Sequence, residues 1–440
     1  MTRKLGAGAL CLALLVACAR RAPVPAAPAA NSAGTLRAAT ADAMRVQALR
    51  ARLDALAHSE FEFWATHGPD PKYGGFYGTL DRAGQPIAPS NKGLIQQARQ
   101  LWTFSMWFEK KQQTPEVRRL AENQYHFLTD HFYEPQSHEF VFTVSESGAP
   151  VDPKKVLYAE AFAIYGLSEY ARVFHLPDAA RYALECFKSL DARAHDAQYG
   201  GYDQTHDPAW LSPGAQKEMN THLHLLEAFA ALYEATHDAL VGQRVSELVD
   251  VTAQRIVQPA GYQRLEFLRD WSVFGQSEVS YGHDLETSWL LPEAANVVGR
   301  GREPAVLSAA LAIGVHSADW GFDPRRGGFF EAGPAGGGPA TKREKVWWIQ
   351  CEALPALWQL YARTREPRYL DRFEATLAFL ENVQRDARYG ELYWSVLEDG
   401  TVSAHGDNKG EEWKAGYHVL RALVFSEEWL SIGLGKSSAP

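Results

Sequence analysis

The sequence predicts an all-α protein, a ring of twelve helices built from six repeated hairpins around one polar pocket. Three observations predict it. One short turn pattern recurs at a nearly fixed interval. Two helical patterns fill each interval, the first apolar on nearly every side and the second on one side only. A helix ahead of the first repeat supplies the partner that the last repeat lacks.

The turn pattern reads Tyr73-Gly74-Gly75-Phe76, Tyr199-Gly200-Gly201-Tyr202, Gly327-Gly328-Phe329-Phe330 and Tyr389-Gly390-Glu391-Leu392, with degenerate copies at His138-Glu139-Phe140 and Gly261-Tyr262. Taking Gly75, Glu139, Gly200, Tyr262, Gly328 and Gly390 as markers gives intervals of 64, 61, 62, 66 and 62 residues. Glycines followed by aromatics predict a tight turn running into a short extended segment. Self-similarity at a fixed period marks a repeat architecture.

The elements follow in order. Arg3 and Lys4 precede an apolar run from Leu5 to Ala17, too short for a spanning helix and right for a secretory signal. Leu15-Val16-Ala17-Cys18 resembles a bacterial lipoprotein cleavage box, which implies a signal peptide over 1–18 and a lipid on Cys18. Residues 19–40 are rich in Ala and Pro with no periodic apolar face, as in a flexible tether. The helical domain spans 41–432, and 433–440 form a short tail.

Inner helices are predicted to begin near residues 92, 155, 217, 280, 345 and 412, and outer helices near 114, 177, 239, 305 and 366. The helix at about 41–67 acts as the sixth outer one. In the third hairpin, Met219, Leu223, Leu226, Ala230 and Tyr233 make one helical face, while Leu225, Phe229 and Leu232 fill others, so this helix is buried almost all round. Its partner carries Val241, Val245, Leu248, Thr252 and Ile256 on one side only. Stacking as an open solenoid would bury the same faces. The extra N-terminal helix favours closure.

Composition is globular, with 46% hydrophobic and 22% charged residues. The net charge of −9 argues against a nucleic-acid partner. No later stretch is apolar for the 18 or so residues a membrane span needs, so membrane contact is expected only through the lipid anchor. Cys186 and Cys351 are too few for a disulfide framework and are expected as buried thiols.

Polar residues cluster in the first turns of the inner helices: Arg99 with Trp102, Tyr158 with Phe162, Asn220 with His224, His283 with Glu286, Trp347-Trp348 with Gln350 and Glu352, and Trp413-Lys414 with Tyr417-His418. Asn220 and His224 share a face, and His222 points elsewhere. In a ring these positions converge at one mouth. Three histidines and a glutamate suit zinc in kind. The ligands would come from separate helices with one i, i+3 pair among them, so no metal is expected. A glycoside hydrolase needs two placed carboxylates. Here Glu286 is well placed, Glu352 and Asp284 less so, and histidines dominate.

Three stretches carry a family resemblance: Asn220-Thr221-His222-Leu223-His224-Leu225-Leu226-Glu227-Ala228, Ser280-Tyr281-Gly282-His283-Asp284-Leu285-Glu286-Thr287-Ser288-Trp289, and Lys345-Val346-Trp347-Trp348 with Gln350 and Glu352. The chain resembles the N-acylglucosamine 2-epimerase family over about 60–425, most nearly its cellobiose 2-epimerase branch. The resemblance implies an (α/α)6 barrel and no cofactor. It implies that His283 and His418 are the acid/base pair, that Glu286 supports His283, and that Arg99 faces the reacting end of the sugar. It also implies substrate contacts from Tyr158, Asn220, His224, Trp347, Trp348, Glu352 and Trp413.

Two departures from the family pattern, Glu160 for Gln and Ala415-Gly416 in the last motif, lie near the expected pocket and bear on substrate preference. The expected partner is a reducing disaccharide or monosaccharide. The expected reaction inverts C2 through an enediolate, with an aldose–ketose isomerase or a surface-anchored sugar-binding protein as alternatives. The expected location is outside the cytoplasm, facing the periplasm or exterior.

Overall fold

The computed structural model describes residues 32–204, 216–275, 278–404 and 406–435, with side chains over 42–432 of these. The signal segment and Cys18 lie outside the described residues. The chain divides into two units, residues 1–45 and 46–440. The described part of the first, 32–45, is helical.

Twelve α-helices occur among the described residues, in chain order α1 Ser32–His67, α2 Leu94–Lys110, α3 Pro115–His131, α4 Leu157–Phe174, α5 Pro177–Ala194, α6 Met219–Thr236, α7 Ala239–Val251, α8 Tyr281–Val297, α9 Pro304–Gly321, α10 Trp347–Thr364, α11 Pro367–Phe379 and α12 Tyr417–Gly435. Single π-helical turns at Thr252–Ile256 and Leu380–Gln384 extend α7 and α11. No described helix is long and apolar enough to cross a membrane. α1 starts at Ser32, inside the segment expected to be a tether to residue 40. The run Leu36-Arg37-Ala38-Ala39 lacks Pro and favours helix, which explains the earlier start.

Within the second unit, α2 packs on α4, α4 on α6, α6 on α8, α8 on α10, α10 on α12, and α12 returns to α2. The six inner helices therefore form a closed (α/α)6 barrel rather than a solenoid. α2 is buried from Leu94 through Trp107. Outer helices bury one stripe, as in α3 with Val117, Ala121, Gln124, Phe127 and Leu128. α3, α5, α9 and α11 each begin on a proline, which suits the first turn because its missing N–H has no helical partner there. The part of α1 from Val46 completes the outer layer: Phe61 stacks on Trp107 at 4.2 Å, Arg50 pairs with Glu427 at 2.6 Å and Glu60 accepts from Arg385 at 2.8 Å.

The repeated turn explains its own sequence. In four repeats an aspartate accepts two backbone N–H groups of the turn: Asp70, Asp196, Asp323 and Asp386. A buried lysine at the inner helix's entry spans the turn from aspartate to glycine carbonyl: Lys92 to Asp70 and Gly74, Lys217 to Asp196 and Gly200, Lys345 to Asp323 and Gly327. Lys155 does the same with Glu134 and the Phe140 carbonyl.

Five residues past each lysine, a side chain accepts the N–H of the turn's aromatic. Gln97 serves Phe76, Glu160 serves Phe140, His222 serves Tyr202 and Gln350 serves Phe329. In the fourth repeat Val279 replaces the lysine, and Asp284 accepts from Gln263. The second glycine makes room for this bond: a Cβ on Gly201 would lie 2.7 Å from His222 Nε2, and one on Gly328 2.7 Å from Gln350 Oε1, both at positive φ. Glu160 is thus part of the frame and not of the pocket. Gly416 likewise packs on Trp64, 2.9 Å from where a Cβ would sit.

His222 is fully buried, and burial lowers its pKa to about 4. The unfolded histidine, near 6.5, takes a proton first as pH falls. Stability from this site is therefore complete above about 6.5 and declines as pH drops toward 4. Gln already fills the equivalent place in two repeats. His222→Gln should melt close to wild type at pH 7.5 and be more stable at pH 4.5 by about 2 kcal/mol, read from urea unfolding at both pH values.

Candidate active site

The inner helices all present their first turns to one end of the barrel. Seven residues past Lys92, Lys155, Lys217, Val279, Lys345 and Lys414 stand Arg99, Phe162, His224, Glu286, Glu352 and Arg421, one from each inner helix. These make one layer. Arg99 lies over the Phe162 ring at 4.2 Å, and Phe162 packs on His224 at 4.8 Å. Arg421 donates to Glu286 at 2.5 Å and to Glu352 at 2.7 Å.

Arg99 donates to the Tyr158 hydroxyl at 2.8 Å and to the Trp413 carbonyl at 2.7 Å. Its Nε is buried with no partner among the described residues. Tyr158 meets His224 edge-on at 4.9 Å and Trp413 at 5.9 Å. Burial pushes the Tyr158 hydroxyl up to about 12, so it stays a neutral hydrogen-bonding group. Asn220, half-buried, leaves its Oδ1 without a partner among the described residues.

His283 and His418 both lie near one ring: Trp348 is 4.8 Å from His283 and 5.8 Å from His418. Gly282 permits this approach, since a Cβ there would lie 2.5 Å from Trp348. Each histidine is oriented through Nδ1. His283 Nδ1 meets Ser280 Oγ at 2.8 Å, and His418 Nδ1 meets Glu352 Oε1 at 2.7 Å. Burial, with His224 nearby, lowers His283 to about 3. Burial and then the positive charges of Arg99 and Arg421 hold His418 well below the usual histidine range.

Several expected partners change places. Glu286 was expected to support His283, yet its hydrogen bond goes to Arg421, whose full charge outbids a neutral imidazole for a carboxylate. Ser280 takes its place. Glu352, expected against substrate, is fully buried and holds His418, Arg421 and the Trp289 indole N–H. The i, i+3 pairing foreseen for His283 and Glu286 occurs instead between His224 and Glu227, at 2.5 Å.

Trp347 is buried against Trp394, with ring centroids 4.1 Å apart, rather than grouped with the histidines. Lys414 belongs to the repeated turn, donating to Glu391 and to the Leu392 and Lys409 carbonyls. For that reason α12 starts at Tyr417 and not near 412. Trp413 stands outside the helix and is 42% exposed, whereas Tyr158 and Trp348 are half-buried. Asp284 is spent on Gln263 and Ser317.

The sequence reading missed Arg421 and Glu227. Arg421 is fully buried on α12 and binds Glu227 at 2.7 Å, besides Glu286 and Glu352, and it also meets Tyr417 Oη. Tyr417 donates to Glu227 at 2.9 Å. Burial acts to raise Glu227, but Arg421 and His224 hold it below the usual carboxylate range. Burial raises Glu352 to about 8 against the pull of Arg421. One signal was available: Arg421 interrupts the apolar run Val419-Leu420-Arg421-Ala422-Leu423, and a charge there needs partners.

Glu286, Glu352 and His418 bring ligand atoms within 4.8 Å of one another, the one such group among the described residues. Arg421 already bonds to both carboxylates, and Glu352 to His418. The cation these donors share is a guanidinium.

Two neutral, oriented imidazoles beside an arginine, in the end of an (α/α)6 barrel, define a site suited to moving protons at a carbon that bears oxygens. Comparison with known proteins agrees. The sequence profile of the N-acylglucosamine 2-epimerase (GlcNAc 2-epimerase) family matches residues 75–422. The chain is 30% identical over 376 residues to a cellobiose 2-epimerase of Bacteroides fragilis, covering 82% of this chain and 94% of that protein. It is 29% identical over 389 residues to the N-acylglucosamine 2-epimerase of Bos taurus, covering 84% and 88%. The solved cellobiose 2-epimerase of Spirochaeta thermophila superposes with a TM-score of 0.81 at 32% identity, over 88% of this chain and 98% of that one. The chain belongs to the N-acylglucosamine 2-epimerase family and so to the carbohydrate 2-epimerases, which are isomerases.

Removing Arg421 leaves three buried carboxylates without their cation. Arg421→Met should cost about 3–5 kcal/mol of stability, seen as a lowered midpoint in thermal or urea unfolding. A midpoint unchanged from wild type would show that the carboxylates are neutral without it.

Proposed function

We propose that this protein inverts C2 of the reducing-end glucose or mannose unit of a β-linked disaccharide such as cellobiose. The observation that carries the proposal is the pair His283 and His418, each tied through Nδ1 so that Nε2 is left for a substrate, with Arg99 close by. The exposed Trp413 beside Tyr158 offers an apolar face for a second sugar ring at the rim.

The sugar ring opens first, exposing the C1 aldehyde. One histidine takes the C2 proton, and the C–H electrons move into the carbonyl to give an enediolate. The Arg99 guanidinium stabilises the developing negative charge on its oxygens. The other histidine delivers a proton to the opposite face of C2, and the ring recloses. Lowered pKa values leave His283 and His418 neutral at working pH, His283 with Nε2 free to accept. The donor role falls to His418 backed by Glu352. With Glu227, Glu286 and Glu352 gathered on one Arg421, the cluster retains a proton. As Nε2 gives up its proton, Glu352 passes one to Nδ1; when product leaves, His283 releases its proton to water and Glu352 regains one, which restores the starting state. In the reverse direction the roles exchange.

Incubating cellobiose with the enzyme in D2O tests this. Deuterium should enter at C2, and NMR should show the 2-epimer as product. Return of the proton to C1 would give the ketose and make the enzyme an aldose–ketose isomerase. No exchange would leave a binding protein. His283→Asn and His418→Asn should each lower kcat by at least 10²-fold with unchanged melting. Wild-type turnover in both variants would sink the assignment.

We also propose that the enzyme is exported and held at a bacterial membrane through lipid on Cys18, with the catalytic domain facing the periplasm or exterior. Cys18→Ala should move the protein from the membrane fraction to the soluble one.

A further inference from the structure

A second cavity, of about 610 Å³, opens at the other end of the barrel. Its walls are the later turns of α2, α4, α6, α8 and α12, whereas the histidines sit on first turns. None of Arg99, His224, His283 or His418 lines it. Glu227 and the layer held by Arg421 stand between the two spaces.

The cavity is built of two kinds of surface. One wall is aromatic: Trp289, Phe425 and Trp429 meet one another at 5.7 to 6.1 Å between centroids. The rest is acidic. Arg172 is spent on Glu109 and Glu169, and Lys110 on Glu428. That leaves Glu234 and Glu293, both partly open to solvent, which line the cavity and form no hydrogen bond or ion pair among the described residues. Burial raises both carboxyls against the pull of Arg172 at Glu234 and of Arg363 at Glu293. The C-terminal ends of these inner helices lie at this end of the barrel, adding the negative pole of their dipoles.

A bare metal ion does not suit this space. The one group of three donors close enough to share an ion lies at the other end. Aromatic faces beside separated carboxylates suit instead a cation carried on an apolar stem. We propose that this cavity is a binding site for a small organic ammonium, its charge between Glu234 and Glu293 and its alkyl part on Phe425 and Trp429. The proposal is independent of the reaction at the opposite end.

Titration calorimetry of the full-length protein with 1,4-diaminobutane, butylamine and the neutral 1,4-butanediol at constant ionic strength is the test. The amines should bind saturably at one site and the diol should not. Affinity should fall at least tenfold in Glu234→Gln/Glu293→Gln and in Trp429→Ala, with melting and cellobiose turnover of the double variant as in wild type. Should that variant melt early, Glu234→Gln alone, at an exposed position, carries the same comparison. Equal amine affinity in wild type and the glutamine variants, equal binding of diol and diamine, or no saturable binding would each overturn the proposal.

Discussion

The barrel turns on one buried guanidinium. Arg421 reaches from the last inner helix to carboxylates on α6, α8 and α10, and so ties four of the six inner helices across the axis. Burying three carboxylates is prohibitive without a cation, and burying that cation is prohibitive without them. Each makes the other tolerable. The geometry of the histidines is then a by-product: Glu227 holds His224 and Glu352 holds His418 because Arg421 holds both carboxylates.

The same arrangement separates tasks that a shorter list of residues would merge. His418 is backed by a carboxylate that burial keeps close to proton exchange, whereas His283 rests on a serine hydroxyl. Two bases of one residue type are thereby made unlike. Trp348, admitted beside both because position 282 has no side chain, packs on each without adding charge.

The ring was legible because it rests on period and polarity, which a sequence displays directly. The Gly-Gly-aromatic turns and the contrast between α6 and α7 place nearly every helix to within a few residues. Site members were legible wherever a polar residue broke an apolar face, as with Arg99, His224 and His283. Pairing was not. That Glu286 turns to Arg421 and Glu352 to His418 depends on which helices become neighbours across the axis, 135 and 66 residues apart in the chain. Glu160 and Asp284 misled for a related reason, and the role of His222, which points away from the site, was hidden by it. Their bonds run to backbone N–H groups some twenty residues upstream, and no side-chain pattern announces a backbone partner.

The lysine-pinned turn has a consequence for how such a barrel changes over generations. Each pin fixes the entry of its inner helix through a main-chain carbonyl and a carboxylate. The side chain two turns further in takes no part in that fastening. It has become arginine, phenylalanine, histidine or glutamate in different repeats without disturbing the fastening. The frame behaves as six sockets of equal depth, filled by Arg99, Phe162, His224, Glu286, Glu352 and Arg421, with His283 and His418 one turn nearer the entry. Where the lysine itself is gone, at Val279 ahead of α8, strand pairing with Ala332–Pro334 and the Asp284–Gln263 bond hold the socket that carries His283.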